Sequence, residues 1–132
     1  MDPTQPLMKT VGIDLRFGGV KALTDVSVFL SSSEILAIIG PNGAGKSCLL
    51  NCMNGFYQPQ NGQVYFRDRN ITDEKPHKIA ALGIARTFQG IQLFSGLSVI
   101  DNLLTGRHLF MKTNPLQGFL YRFWTHREEM RE

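Results

Sequence analysis

Lys46 and Ser47 close the run Gly40-Pro41-Asn42-Gly43-Ala44-Gly45-Lys46-Ser47. It matches the phosphate-binding pattern G-x-x-x-x-G-K-[ST] at every fixed position. Glycine belongs there because backbone N–H groups must curl around phosphate oxygens, where side chains would clash or force unfavourable φ values. A lysine ammonium at this spacing would reach the β- and γ-phosphates of a nucleotide, and a serine hydroxyl would ligate Mg²⁺. The plain alternative is an ordinary glycine-rich turn, and the flanking elements decide between the two.

Such a loop needs a buried strand before it and a helix after it. Ile35-Leu36-Ala37-Ile38-Ile39 is apolar without polar alternation, which predicts a strand buried on both faces. A helix is predicted from about Lys46, with Leu49, Leu50 and Met53 as its apolar positions and Asn54-Gly55 as its stop. Its N-terminus would turn a partial positive charge toward the loop. Earlier, Val11–Arg16 and Ala22–Leu30 read as strands around the turn Phe17-Gly18-Gly19. Val26, Val28 and Leu30 mark the core face of the second. Further on, Gln58–Gly62 is a loop and Gln63–Arg67 a strand. Pro76 opens a short helix that Gly83 closes, and Ile84–Thr87 returns as a strand. Ser98 and Asp101 form a capping-box pattern ahead of a helix over Val99–Phe110. The segment from Asn114 carries Phe119, Leu120, Phe123 and Trp124 beside Arg122, Arg127 and Arg131, a pattern that suits an amphipathic membrane-surface helix or, more often, a helix whose apolar face has a protein partner.

Composition narrows the rest. The chain has 132 residues, 42% of them hydrophobic and 19% charged, which fits about one soluble globular domain and excludes a disordered or fibrous chain. Its longest apolar run has five residues, against roughly 20 for a membrane span. No secretory signal opens the sequence, so a cytosolic chain is expected. Fourteen basic and eleven acidic residues give a net charge of +3 with no block of like charge, and no nucleic-acid partner is expected. Cys48 and Cys52 stand four apart on one helix face, too few for zinc or a disulfide framework, and read as small buried hydrophobes.

Kinases, GTPases and motors share the phosphate loop, and other segments are needed to separate them. With Gly83-Ile84-Ala85-Arg86-Thr87-Phe88-Gln89 downstream, the chain resembles the nucleotide-binding subunit of ABC transporters over about residues 8–110. Arg86-Thr87-Phe88-Gln89 with Leu93-Phe94, Val99–Leu104, and Asn51–Tyr57 are similar to the branched-chain amino acid importers in particular; urea and other amide importers have similar subunits. The resemblance implies an α/β fold: a P-loop NTPase nucleotide-binding core with an antiparallel β-subdomain over residues 1–96, and a helical subdomain begun in 97–132 and cut short.

The resemblance also implies ATP and Mg²⁺ as cofactors. Phe17 falls where the family stacks an aromatic on adenine, which suits a flat ring face; without the family it would read as a core aromatic beside a turn. Gly40, Pro41, Asn42, Gly43, Ala44, Gly45, Lys46, Ser47 and Cys48 would hold the phosphates. Ser47 and Gln89 would hold Mg²⁺, with Gln89 sensing the γ-phosphate next to the surface that meets the membrane subunit. The implied partners are transmembrane permease subunits, met at the Gln89 region, and a second ATP-binding subunit. The implied location is peripheral, on the cytoplasmic face of the membrane.

Hydrolysis in this family needs an apolar strand ending in Asp-Glu, an L-S-G-G-Q signature and a switch histidine. Asp73-Glu74 and Glu128-Glu129 follow polar residues, Ser95-Gly96-Leu97 is not the signature, and His77, His108 and His126 read as surface residues. No catalytic residue is therefore assigned. Three roles stand as expectations. As the resemblance implies, the first is an ATPase subunit that couples ATP binding and hydrolysis to branched-chain amino acid uptake, two such subunits sandwiching two ATP molecules. The second is a remnant that binds nucleotide without turnover. The third is a different P-loop enzyme, such as a small-molecule kinase, which gives no reason for the Gln89 segment. With sheet neighbours missing, the chain is expected to be unstable as a monomer.

Overall fold

The computed structural model describes residues 5–88, 90 and 93–106. Two compact units divide at Thr87 and Phe88.

The first unit is built on a hairpin. Strands β1 (Met8–Phe17) and β2 (Val20–Leu30) pair from Met8↔Leu30 to Phe17↔Val20, joined by Gly18-Gly19 as the sequence predicts. Helix α1 (Lys46–Met53) follows, then β3 (Asn61–Phe66), the short β4 (Arg69–Asn70) and helix α2 (Pro76–Ala81). The strands form one antiparallel sheet in the order β2-β1-β3-β4.

Its buried face depends on an irregularity the hydrophobic pattern does not announce. Met8 and Thr10 point into the core, then Ile13 and Leu15 do, so the alternation changes parity between them. The register shifts there, around Gly12 at φ +60°. An extra residue in one strand rotates everything after it to the opposite face. Ile13, Leu15 and Leu23 then meet Val64, Leu49, Cys52, Ile71 and Ile79 in one cluster. Thr10 is also fully buried, and its hydroxyl accepts the Val28 N–H at 3.0 Å, which removes most of the cost of burying it. Val26, Val28 and Leu30 pack against this cluster, as their spacing predicts.

Two predicted strands do not form among the described residues. Residues 35–39 carry no strand, and Ile35 and Ile39 are 97% and 91% exposed. A strand apolar on both faces needs neighbours on both edges and layers above and below. The four strands described here are antiparallel and none runs beside it; Ile38 is its contact with the core cluster. The parallel part of the expected α/β core is thus not displayed among the described residues, whereas the antiparallel β-subdomain is. Residues 84–87 likewise make no ladder; Ile84 packs on the core as a side chain.

In the second unit, α3 spans Val99–Gly106, and the rest of its predicted length lies outside the described residues. Ser98 caps it as expected: its hydroxyl accepts the Asp101 N–H at 3.2 Å and donates to the Asp101 carboxylate at 2.6 Å. Asn102 ties the preceding turn to the helix, accepting the Phe94 N–H at 3.0 Å and donating to the carbonyls of Phe94, Leu97 and Ser98. The aromatic and basic segment from Asn114, with His108 and His126, lies outside the described residues.

Candidate functional site

The phosphate loop leads directly into α1. Gly45 occupies the position before the helix with φ +85° and ψ +3°, left-handed geometry, and no side chain caps the helix start. The first helical bond shown runs from the Leu49 N–H to the Gly45 carbonyl at 2.9 Å. The N–H groups of Lys46, Ser47 and Cys48 belong to the opening turn, which has no acceptors of its own within a helix. They and the helix dipole face the loop, which makes an anion cradle.

Glycine at 45 answers two demands. Besides its left-handed φ, a Cβ there would stand 2.5 Å from the Ala22 carbonyl oxygen and 2.9 Å from Leu23 Cδ2. The loop is therefore seated directly on β2. Gly43 is also left-handed, at φ +83°, and its surroundings are open.

The Lys46 ammonium folds back over the loop, donating to the Gly40 carbonyl at 2.7 Å and the Pro41 carbonyl at 2.6 Å. A cation held on carbonyl oxygens is poised to transfer to stronger, charged acceptors such as phosphate oxygens. Ser47 is exposed on the first turn. Among the described residues no group of three or more His, Cys, Asp and Glu could hold a metal ion. A hydroxyl beside a phosphate cradle fits Mg²⁺, which commonly takes few protein ligands and completes its shell with phosphate oxygens and water.

Phe17 ends β1 and pairs with Val20, two residues before the Ala22 carbonyl on which the loop rests. That separation is about 7 Å along β2. Phe17 is 46% exposed, and its ring meets Tyr57 edge-to-face, with centroids 5.1 Å apart and an interplanar angle of 74°. Phe17 is thus not a core aromatic. Gln89 lies outside the described residues. Arg86, three residues before it, donates a hydrogen bond to Asn51 on α1.

The spacing of chemical groups does not single out Tyr57, Gln60 or the Asn51–Arg86 bond. Each is a contact between segments far apart in sequence, and an aromatic just after a helix stop is the most that could have drawn attention to Tyr57. Cys52 is buried on α1 and Cys48 half-buried. Burial, with the neighbouring Cys48 adding to it, pushes the Cys52 thiol up from 9.0 to about 11. It is an inert packing residue, as its spacing predicts.

A left-handed glycine loop at a helix start, with a lysine ammonium folded over it, has the geometry of an anion cradle, and the wider sequence places that loop in a family. The chain belongs to the ABC transporter family, whose model matches residues 23–132. Among curated proteins it is 43% identical over 117 residues to the high-affinity branched-chain amino acid transport ATP-binding protein LivG of Salmonella typhimurium, covering 89% of this chain and 46% of that protein. It is 38% identical over 115 residues to BraF of Pseudomonas aeruginosa, a protein with the same description, covering 87% and 45%. Among solved structures, the ADP conformation of an ATP-binding cassette of an ABC transporter superposes with a TM-score of 0.73 at 38% identity, covering 89% of this chain and 46% of that one. The chain spans about half the length of these relatives.

Proposed function

We propose that this chain is the ATP-binding part of an ABC importer component serving branched-chain amino acid uptake, and that its own residues bind Mg-ATP. The observation that carries the binding role is the Lys46 ammonium lying across the Gly40 and Pro41 carbonyls at the mouth of a left-handed glycine loop. Support for the amino acid substrate comes from the relatives, whose names specify branched-chain amino acid transport.

In this proposal Gly40–Cys48 wrap the phosphates, every residue but Pro41 having a backbone N–H to offer, and Lys46 would exchange its carbonyl partners for β- and γ-phosphate oxygens. Ser47 would hold Mg²⁺, and Phe17 would offer a ring face to adenine. The proposal also gives Gln89 a role toward Mg²⁺ and toward the permease. Bound Mg²⁺ would neutralise phosphate charge. Within residues 1–132 the sequence holds no apolar strand ending in Asp-Glu, so the proposed role of these residues is binding and orientation. The proposed partners are transmembrane permease subunits and a second ATP-binding subunit, with the chain peripheral on the cytoplasmic face of the membrane. No helix among the described residues is long and apolar enough to cross a membrane.

Titration calorimetry with ATP and Mg²⁺ tests the binding role. Lys46→Ala should weaken ATP by about 1.5–3 kcal/mol, the worth of a charge-assisted hydrogen bond. Equal affinity in both proteins overturns it. For the transport role, a chimera placing the matched 117 residues in the Salmonella relative should retain leucine uptake; loss of uptake in a folded chimera counts against it.

A further inference from the structure

Two contacts converge on the end of β1, and both come from the loop between α1 and β3. The β1–β3 ladder ends at Asp14↔Asn61, so the β3 side of Arg16 and Phe17 has no strand beside it. Gln60 replaces that strand with its side chain. Its amide oxygen accepts the Arg16 N–H at 2.7 Å, and its amide nitrogen donates to the Arg16 carbonyl at 3.4 Å. Its own N–H donates to the Asp14 carbonyl at 2.9 Å. Three residues earlier, Tyr57 places its ring against Phe17. Tyr57 is itself fixed, since its N–H donates to the Asn51 carbonyl of α1 at 3.1 Å.

We propose that Tyr57 is a positioning residue for a nucleotide base: it sets the plane of Phe17 from one side and leaves a face of that ring open, while Gln60 fixes the backbone beneath it. This deepens the nucleotide-site proposal and rests on it. An edge-to-face neighbour can cover at most one face of Phe17, and the 46% exposure of that residue is consistent with an open face. A phenylalanine at a strand end would otherwise sample several rotamers, and a base that stacks on it would have to select one. Pre-setting the ring removes that cost from binding. The same helix α1 thus serves both ends of a nucleotide. Its first turn holds the phosphate loop, and the carbonyl of Asn51 anchors the residue that orients the base platform.

The full chain is titrated with Mg-ATP and, separately, with inorganic tripolyphosphate, which has no base. Tyr57→Ala should weaken ATP roughly three- to tenfold, the scale of an aromatic pair, and leave tripolyphosphate unchanged. Tyr57→Phe keeps the aromatic ring and should retain ATP affinity. In a Phe17→Ala background, Tyr57→Ala should have no further effect, because nothing remains to be oriented. Gln60→Ala should repeat the ATP-selective loss more weakly. Proton NMR supplies a readout without nucleotide: the ring-current shift of the Phe17 protons should vanish in Tyr57→Ala. Unchanged ATP affinity in Tyr57→Ala overturns the inference while leaving the nucleotide site standing. So does an equal loss for ATP and tripolyphosphate, which marks general damage to the loop. A native chain that binds neither ligand overturns the nucleotide site and this role together.

Discussion

Replacing Gly45 by alanine tests whether the phosphate loop is held in shape by its seat on β2. The new Cβ would meet the Ala22 carbonyl oxygen at 2.5 Å and Leu23 Cδ2 at 2.9 Å, with the backbone at φ +85°. The left-handed conformation alone costs an L-residue about 1–2 kcal/mol. Leu23 can shift its methyl, but Ala22 belongs to a strand paired with β1, so the loop or the strand must give way. Overpacking of that kind adds about 1–3 kcal/mol. The expected loss is therefore about 2–5 kcal/mol, a large part of the roughly 5–15 kcal/mol that a domain possesses. Gly43→Ala isolates the first contribution. Its φ is +83° and nothing stands within 4 Å of the added carbon, so its cost should be about 1–2 kcal/mol. Urea unfolding followed by far-UV circular dichroism measures both, with an unchanged slope confirming that stability alone has moved. Equal losses in the two variants would refute the claim that the loop is anchored by close approach to Ala22.

Two further outcomes follow from burial. Because the native Cys52 thiol keeps its proton to about pH 11 while the unfolded one loses it near 9.0, stability should fall as pH rises through that window. Cys52→Ala should flatten this segment of the stability–pH curve, and an unaltered slope would show that another group is responsible. Ile35 and Ile39, at 97% and 91% exposure, should drive self-association. The double substitution Ile35→Lys with Ile39→Lys should reduce it in light-scattering measurements at a stability cost within about 0.5 kcal/mol per site; a loss of several kcal/mol would mean that these side chains are buried in solution.

The local chemistry of this chain was legible from residue order. Gly43 and Gly45 stand where the backbone is left-handed, α1 begins at Lys46, and the turn at Gly18-Gly19 joins two paired strands. Each of these depends on what a residue's own backbone can adopt or on neighbours within one turn, so position in the sequence carries the information. The Ser98–Asp101 cap was legible for the same reason. By contrast, the apolar run 35–39 encodes a strand only if other strands flank it, and among the described residues none does. The parity change at Gly12 depends on how β1 registers with two neighbours at once. The Tyr57 ring against Phe17 and the Gln60 amide against Arg16 join positions 40 and 44 residues apart, where no local preference operates. Sequence fixes conformations that a residue can hold by itself; contacts whose energy arises only after distant segments have been brought together are decided by the tertiary fold.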